Sequence, residues 1–276
     1  MTDNVNPLQQ YFRRPSIYLR LPSGGIGYKE GSINLPDNGE VPVYPMTTID
    51  EITSKTPDAL FNGTAIVDII KSCVPNILDP WAIPVVDVDP ILIAIRAASN
   101  GDKMEIETSC PECKEEAKYD VNLTGLLSSF KPSDYDSLLS IDELGIKFKP
   151  LLYSEINESN ILQFEVQRMM SNLQGMENDE ERSRQTTELI KKLNEMTIQL
   201  LVSTIEYVKV PNATVFESKH IEDFLRNCDK NTFNKIKETN IRLRSESEAK
   251  PLQVKCMHCQ HEYEQSFVVN VSNFFD

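Results

Sequence analysis

The 276-residue sequence holds only three histidines and one tryptophan, its 28 lysines and arginines are outnumbered by 42 acids, and it has no long apolar run. Each shortage excludes something. With three histidines, no nucleophile set beside a base in a catalytic arrangement and no His-Glu-X-X-His motif, the chain lacks the acid–base equipment of an enzyme. A net charge of −14 repels a phosphate backbone and argues against nucleic-acid binding. The longest apolar stretch, Pro90 to Ala98, is interrupted by Arg96 and falls well short of the roughly 20 residues that cross a bilayer, so no transmembrane span is expected. The start, Met1 to Pro7, has neither the basic residues nor the apolar core of a secretory signal, which places the chain in a reducing cytosol. There the six cysteines read as thiols or metal ligands before disulfides.

What is present is unevenly spread. Eleven of the sixteen prolines lie at or before Pro90, and five of the ten glycines lie between Gly24 and Gly39. Residues 1–46 therefore read as an extended, turn-rich arm. It carries one strand, Ser16 to Leu21, and turns at Pro22 to Gly27 and Pro36 to Gly39. The prolines of Val41-Pro42-Val43-Tyr44-Pro45 forbid a central strand. An arm with so little core of its own is expected to lie along a partner. The turn Gly24-Gly25-Ile26-Gly27 lacks the Lys-Ser/Thr ending of a phosphate loop.

Residues 47–102 read as a small helical region. Thr48, with Glu51 three residues on, is a candidate cap, Ala65 to Val74 has helical apolar spacing, and Asp89-Pro90 starts a buried helix that stops at Asn100-Gly101. At Lys103 the period changes to two. Met104, Ile106 and Thr108 lead to Cys110-Pro111-Glu112-Cys113, and Ala117, Tyr119 and Val121 lead back. Pro251 to Lys255 and Glu262 to Val271 repeat that design around Cys256-Met257-His258-Cys259. Between the hairpins, residues 123–250 read as a mostly helical insertion: a strand at Gly145 to Leu151, helices over Glu155–Leu173 and Asp179–Tyr207 joined by a short loop at Gln174 to Asn178, then Ser218–Asn227, capped by Ser218, and Asn231–Arg244.

Two Cys-X-X-Cys pairs on hairpin tips can aim four thiolates, Cys110, Cys113, Cys256 and Cys259, at one cation. A tetrahedral four-sulfur site suits zinc, and less often iron. The competing reading, that each pair is redox-active or independently placed, lacks the strand-to-helix setting of thioredoxin-like chemistry. Four protein ligands leave no open position, so such a site is structural. His258 and His261 read as neighbours of the site or solvated side chains. Cys73 and Cys228 read as small core residues, His220 as a surface residue, Glu177 to Glu181 as a solvated loop, and Trp81 as an anchor in either the core or an interface.

The stretches Asn6-Pro7-Leu8-Gln9-Gln10-Tyr11-Phe12-Arg13, Leu21-Pro22-Ser23, Gly39-Glu40-Val41-Pro42-Val43-Tyr44-Pro45-Met46, Lys55 to Leu60 and Lys71-Ser72-Cys73-Val74-Pro75 resemble the baseplate proteins of T4-type bacteriophages, associated with the central hub of contractile tails. The resemblance is strongest over about the first 120 residues. It implies a non-catalytic protein of tail or baseplate assembly, at work in the host cytoplasm and then in the virion tail, whose partners are other baseplate, hub or tape-measure proteins. A stoichiometric hub subunit, an assembly chaperone that departs, and a zinc-ribbon adaptor for nucleic acid are the three alternatives it leaves. The expected fold is α+β: an extended N-terminal arm, a small helical region, and a split four-cysteine zinc ribbon (103–122 and 251–276) with a long helical insertion.

Overall fold

A computed structural model describes residues 6–173, 178–270 and 274–275. The chain opens with a 3-10 turn at Pro7–Tyr11, and then β1 (Ile17–Arg20) pairs antiparallel with β2 (Glu40–Val43), Leu19 opposite Val41. Leu19, Val41 and Val43 are buried while Tyr18 is exposed, the alternation of a sheet with one face on a core. Each strand of a two-stranded sheet is an edge, which is where Pro42 is tolerated. The core these residues enter is the chain's own. Leu19, Leu21, Val41 and Val43 join Ile69, Ile70, Ile91 and Ile95 in one cluster. The expectation that residues 1–46 lie along a partner is corrected to this extent: β1 and β2 lie on the helices that follow them.

Arg13 fastens the start of the arm. Its guanidinium donates to the carbonyls of Pro45 (2.6 Å) and Ser72 (2.9 Å), to Ser72 Oγ (2.8 Å) and to Asp50 Oδ2 (3.3 Å). Asp50 also takes the Thr47 amide (2.7 Å) and closes a capping box on α1 (Thr48–Ser54), so the cap is Thr47 and the expected Thr48–Glu51 pair is one residue late. α2 (Pro57–Phe61) and α3 (Thr64–Cys73) follow. Gly63, the N-cap of α3, has φ 79°, and a Cβ there would sit 2.5 Å from Asn157 Oδ1, so a larger residue is strained and must push the Asn157 side chain aside.

α4 (Val85–Asn100) begins before the expected Asp89-Pro90, and Pro90 lies inside its second turn. The start is fixed from outside the helix, because the Val85 amide donates to the Leu151 carbonyl (2.8 Å). Pro90 then withholds only one intrahelical bond. Ile91, Leu92, Ile93, Ala94 and Ile95 are all buried, so α4 is covered on every side along this stretch and forms the centre of the core. Its one deep acid, Asp87, accepts from the Ser23 amide (2.8 Å) and Ser23 Oγ (2.5 Å) and so pins the turn after β1. Burial pushes the Asp87 carboxyl up to about 6, and the Ser23 hydrogen bonds oppose it.

β3 (Lys103–Ser109) and β4 (Glu116–Asn122) form the first hairpin, and α5 (Leu123–Leu127) returns to the main core through Leu123 and Leu126. The insertion contains more sheet than expected. β5 (Leu138–Ile141) and β6 (Leu144–Phe148) precede α6 (Tyr153–Leu173) and α7 (Asp179–Ser203), and β7 (Ile205–Val210) and β8 (Ala213–Val215) follow, giving an antiparallel sheet ordered β5-β6-β7-β8. α7 stops at Ser203 because Thr204 caps it, its hydroxyl donating to the Leu201 carbonyl (2.7 Å). Ile205 continues the helical spacing of Leu201, which is why the expected helix ran on to Tyr207. Apart from Asn178, which caps α7, the expected connecting loop at 174–178 lies outside the described residues, as does Glu177 of the acidic stretch.

α8 (Ser218–Asn227) is capped at Glu217 without a side-chain bond, so Ser218 is its first residue and not its cap. α9 (Lys230–Glu246) is capped by the Asp229 carboxylate. Ile146, Phe148, Val202, Val208, Ile221, Leu225, Ile236 and Leu243 form a second core between the sheet and α7, α8 and α9. Finally β9 (Leu252–Lys255) and β10 (Glu262–Gln265) form the second hairpin, beyond which Phe274 and Phe275 are buried in the main core. The fold is α+β, with four cysteines brought together at the two hairpin tips. Among the described residues no helix is long and apolar enough to cross a membrane.

Candidate metal centre

The hairpin tips have the same local design. In the first, the Cys110 amide donates to the Glu115 carbonyl (3.0 Å) and the Lys114 amide to the Cys110 carbonyl (2.9 Å). In the second, Cys256 donates to His261 (2.8 Å) and Gln260 to Cys256 (3.0 Å). Lys114 and Gln260 are both left-handed, at φ 63° and 62°. That turn brings the next amide onto sulfur: Glu115 N–H onto Cys113 and His261 N–H onto Cys259. The second cysteine of each tip is thus supplied with an amide dipole, and Cys256 is supplied by the amides of Cys259 and His258. Lys114 and Gln260 were not singled out from the sequence; their only signal was their place directly after each second cysteine.

The tips face one another. All four sulfurs lie within 4.8 Å of one another, with Cys110 Sγ 3.7 Å from Cys259 Sγ and Cys113 Sγ 3.7 Å from Cys256 Sγ. A disulfide needs about 2.05 Å, and all six cysteines are free. A cation with four bonds of about 2.3 Å in tetrahedral geometry sets its sulfurs about 3.8 Å apart. The two contacts at 3.7 Å match that edge length. Cys110 and Cys256 are buried, Cys113 is half-buried and Cys259 is exposed, so the site sits at the surface end of the hairpins.

The electrostatics suit a bound cation. At Cys256 the Cys259 amide, helped by that of His258 and opposed by burial, brings the thiol down to about 6. At Cys113 the Glu115 amide favours the thiolate, but burial and the three other sulfurs outweigh it and push the thiol up to about 12. Four sulfurs this close cannot all ionise without a positive charge among them. Away from the tips, Thr108 Oγ1 donates to Gln265 Oε1 (2.6 Å), tying β3 to β10.

The other singled-out residues fall elsewhere. His258 and His261 are exposed, and His261 stacks at 6.3 Å on Tyr263. His220 is exposed and pairs with Glu217 at 3.3 Å. Cys73 is in the main core, where burial raises its thiol to about 11. Cys228 corrects its expectation: it caps the end of α8, half-buried and outside the clusters of core residues, because the helix ends before its side chain can turn inward. Trp81 stacks on Tyr153 at 5.5 Å and packs against the main core. Gly24, Gly25 and Gly27 all have positive φ and form a bare turn.

In this α+β chain two hairpins far apart in sequence bring four cysteine sulfurs within 4.8 Å of one another, an arrangement compatible with a metal site. The model of the T4 bacteriophage base plate protein family matches residues 29–276, and the chain belongs to that family. The match runs through the insertion and both hairpins, so the family unit extends well past the first 120 residues on which the resemblance was strongest. Comparison with curated proteins and with solved structures yields no match in either case.

Proposed function

We propose that this baseplate protein is a non-enzymatic subunit of the hub of a contractile tail, and that Cys110, Cys113, Cys256 and Cys259 hold a structural zinc ion. The family match supports a role among tail proteins. The observation that carries the metal reading is the 3.7 Å spacing of sulfurs from opposite hairpins. Zinc would supply a closed tetrahedral centre with no open position for substrate. The chain's own part is to hold Cys113, Cys256 and Cys259 by backbone amides and to join the start of the insertion to its end. Iron is the alternative occupant of the same tetrahedral four-sulfur set.

Partners are other baseplate, hub or tape-measure proteins, met in the host cytoplasm and retained in the virion. Support for a retained subunit comes from exposed apolar side chains near the arm's start. Leu8, Tyr11 and Phe12 are 61%, 77% and 58% exposed, and Ile49 and Ile52 on α1, which Arg13 ties to that segment, are 75% and 65% exposed. A subunit buries such groups against neighbours. In this reading the docking part of residues 1–46 is the exposed 3-10 turn, and β1 and β2 serve folding. Nucleic acid is disfavoured by the exposed Glu112, Glu115, Glu116, Glu262 and Glu264 around the tips.

Quantitative mass spectrometry of purified virions beside infected-cell lysate, normalised to a tail protein of known copy number, tests the reading. A fixed small copy number per virion, such as a multiple of three or six, is the expected result. Abundance in lysate with absence from virions would replace the subunit by an assembly chaperone.

A further inference from the structure

The two hairpins are joined by Thr108 and Gln265 on one side and leave a groove on the other. Four consecutive residues of β4, Tyr119 to Asn122, and four of β9, Leu252 to Lys255, border this open cavity of about 580 Å³. Successive strand residues point to opposite faces, so a groove touching consecutive residues of both strands runs along their edges and not across a sheet face.

Those edges are unpaired. β4 pairs with β3 alone and β9 with β10 alone. The phase of each ladder shows which groups are left over. Cys110 N–H bonds Glu115 and Leu123 N–H bonds Asp102, so the hydrogen-bonded positions of β4 are 117, 119 and 121. The amides and carbonyls of Lys118, Asp120 and Asn122 consequently point away from β3. By the same count from Cys256 and His261, those of Gln253 and Lys255 point away from β10. Among the described residues no other backbone hydrogen bond reaches the outward groups of Lys118, Asp120, Gln253 and Lys255, whereas the Asn122 carbonyl, at the N-cap of α5, belongs to that helix.

The lining also selects. Ile106, Leu126 and Leu252 offer apolar contacts, and the charged lining is Lys250 and Lys255 against Asp120; Lys255 also lies 3.7 Å from Glu262, so Lys250 is the cation that would draw an acidic group on a chain of net charge −14. We propose that an extended, acidic segment of a neighbouring baseplate protein, apolar at alternate residues, adds as a strand between β4 and β9 and joins the two hairpins into one sheet. Two rows of unpaired donors and acceptors on opposite walls are matched together only by an extended chain, which offers such a row on each side. The identity of the neighbour rests on the baseplate reading above; the strand geometry does not.

Hydrogen exchange resolved to single amides tests this on the full chain, alone and recovered from infected cells with its bound baseplate proteins. Alone, Lys118, Asp120, Gln253 and Lys255 are expected to exchange freely while Tyr119 and Val121 are protected. In the complex the outward four should slow at least tenfold. Asp120→Pro with Gln253→Pro removes two outward amides without touching either ladder and should cost the chain its bound neighbour. Outward amides that exchange as fast in the complex as alone would overturn the strand proposal while leaving the baseplate reading intact. Recovery with no baseplate protein bound would overturn both.

Discussion

Replacing Cys256 by serine is expected to release the metal and lower the melting temperature by roughly 10–20 °C. Cys113 and Cys256 are separated by 142 residues of sequence, and a clasp across a loop of that length restricts the unfolded chain by about 5 kcal/mol on loop-closure arithmetic. In a protein of this size each kcal/mol moves the melting temperature by about 2–4 °C. The site itself can contribute more, because structural zinc binding reaches about 10 kcal/mol or beyond. The loss should concentrate at the second hairpin. β9 and β10 form a sheet of two strands, and such a pair is at best marginally stable alone. Zinc content and thermal unfolding of the serine variant, beside a Cys228→Ser control outside the cluster, check this. Equal metal and equal melting in the two variants would remove the clasp from the account.

Deleting residues 1–46 is expected to prevent folding. The deletion removes Leu19, Leu21, Val41 and Val43, which are 0–6% exposed. Burial of one such side chain contributes about 1.5–3 kcal/mol, so the four together represent about 6–12 kcal/mol, comparable to the whole stability of a typical domain. It also strips the guanidinium from Asp50, which keeps only Thr47, and the Ser23 hydrogen bonds from Asp87, leaving that buried carboxylate without them. Circular dichroism and solubility of the truncated chain measure the outcome. A shorter deletion ending at Gln10 spares Arg13 and both strands and should leave the melting temperature unchanged within a few degrees. A soluble, cooperatively melting 47–276 fragment would show that β1 and β2 are ornaments on a core complete without them.

The parts legible in the sequence were those written in short-range chemistry. The change from helical spacing to period two at Lys103 located the first hairpin, and the repeated Cys-X-X-Cys located the second. Ser218–Asn227 was placed with its observed bounds, although Ser218 is its first residue and not its cap. What escaped was set by contacts distant in sequence. Nothing local marks Arg13 as the partner of Asp50 or Ser23 as the partner of Asp87. Nor does anything local distinguish an arm that docks on a partner from one that packs on its own α4. β5, β7 and β8 were missed for a related reason. They are short, and Ile205 and Val208 fit the tail of a helix as well as the start of a strand until Thr204 and the β6 pairing decide between them. At the cysteine cluster, residue type and spacing named the ligands, but the equivalence of the two tips became visible only in the paired turns at Lys114 and Gln260.

The central claim, a single cation closed within four thiolates from the two hairpins, is tested most directly by elemental analysis and X-ray absorption on the purified full-length chain. The account predicts one zinc per chain with four sulfur neighbours at about 2.3 Å. A folded chain without metal, or a shell containing nitrogen or oxygen donors in place of any of Cys110, Cys113, Cys256 and Cys259, would contradict it.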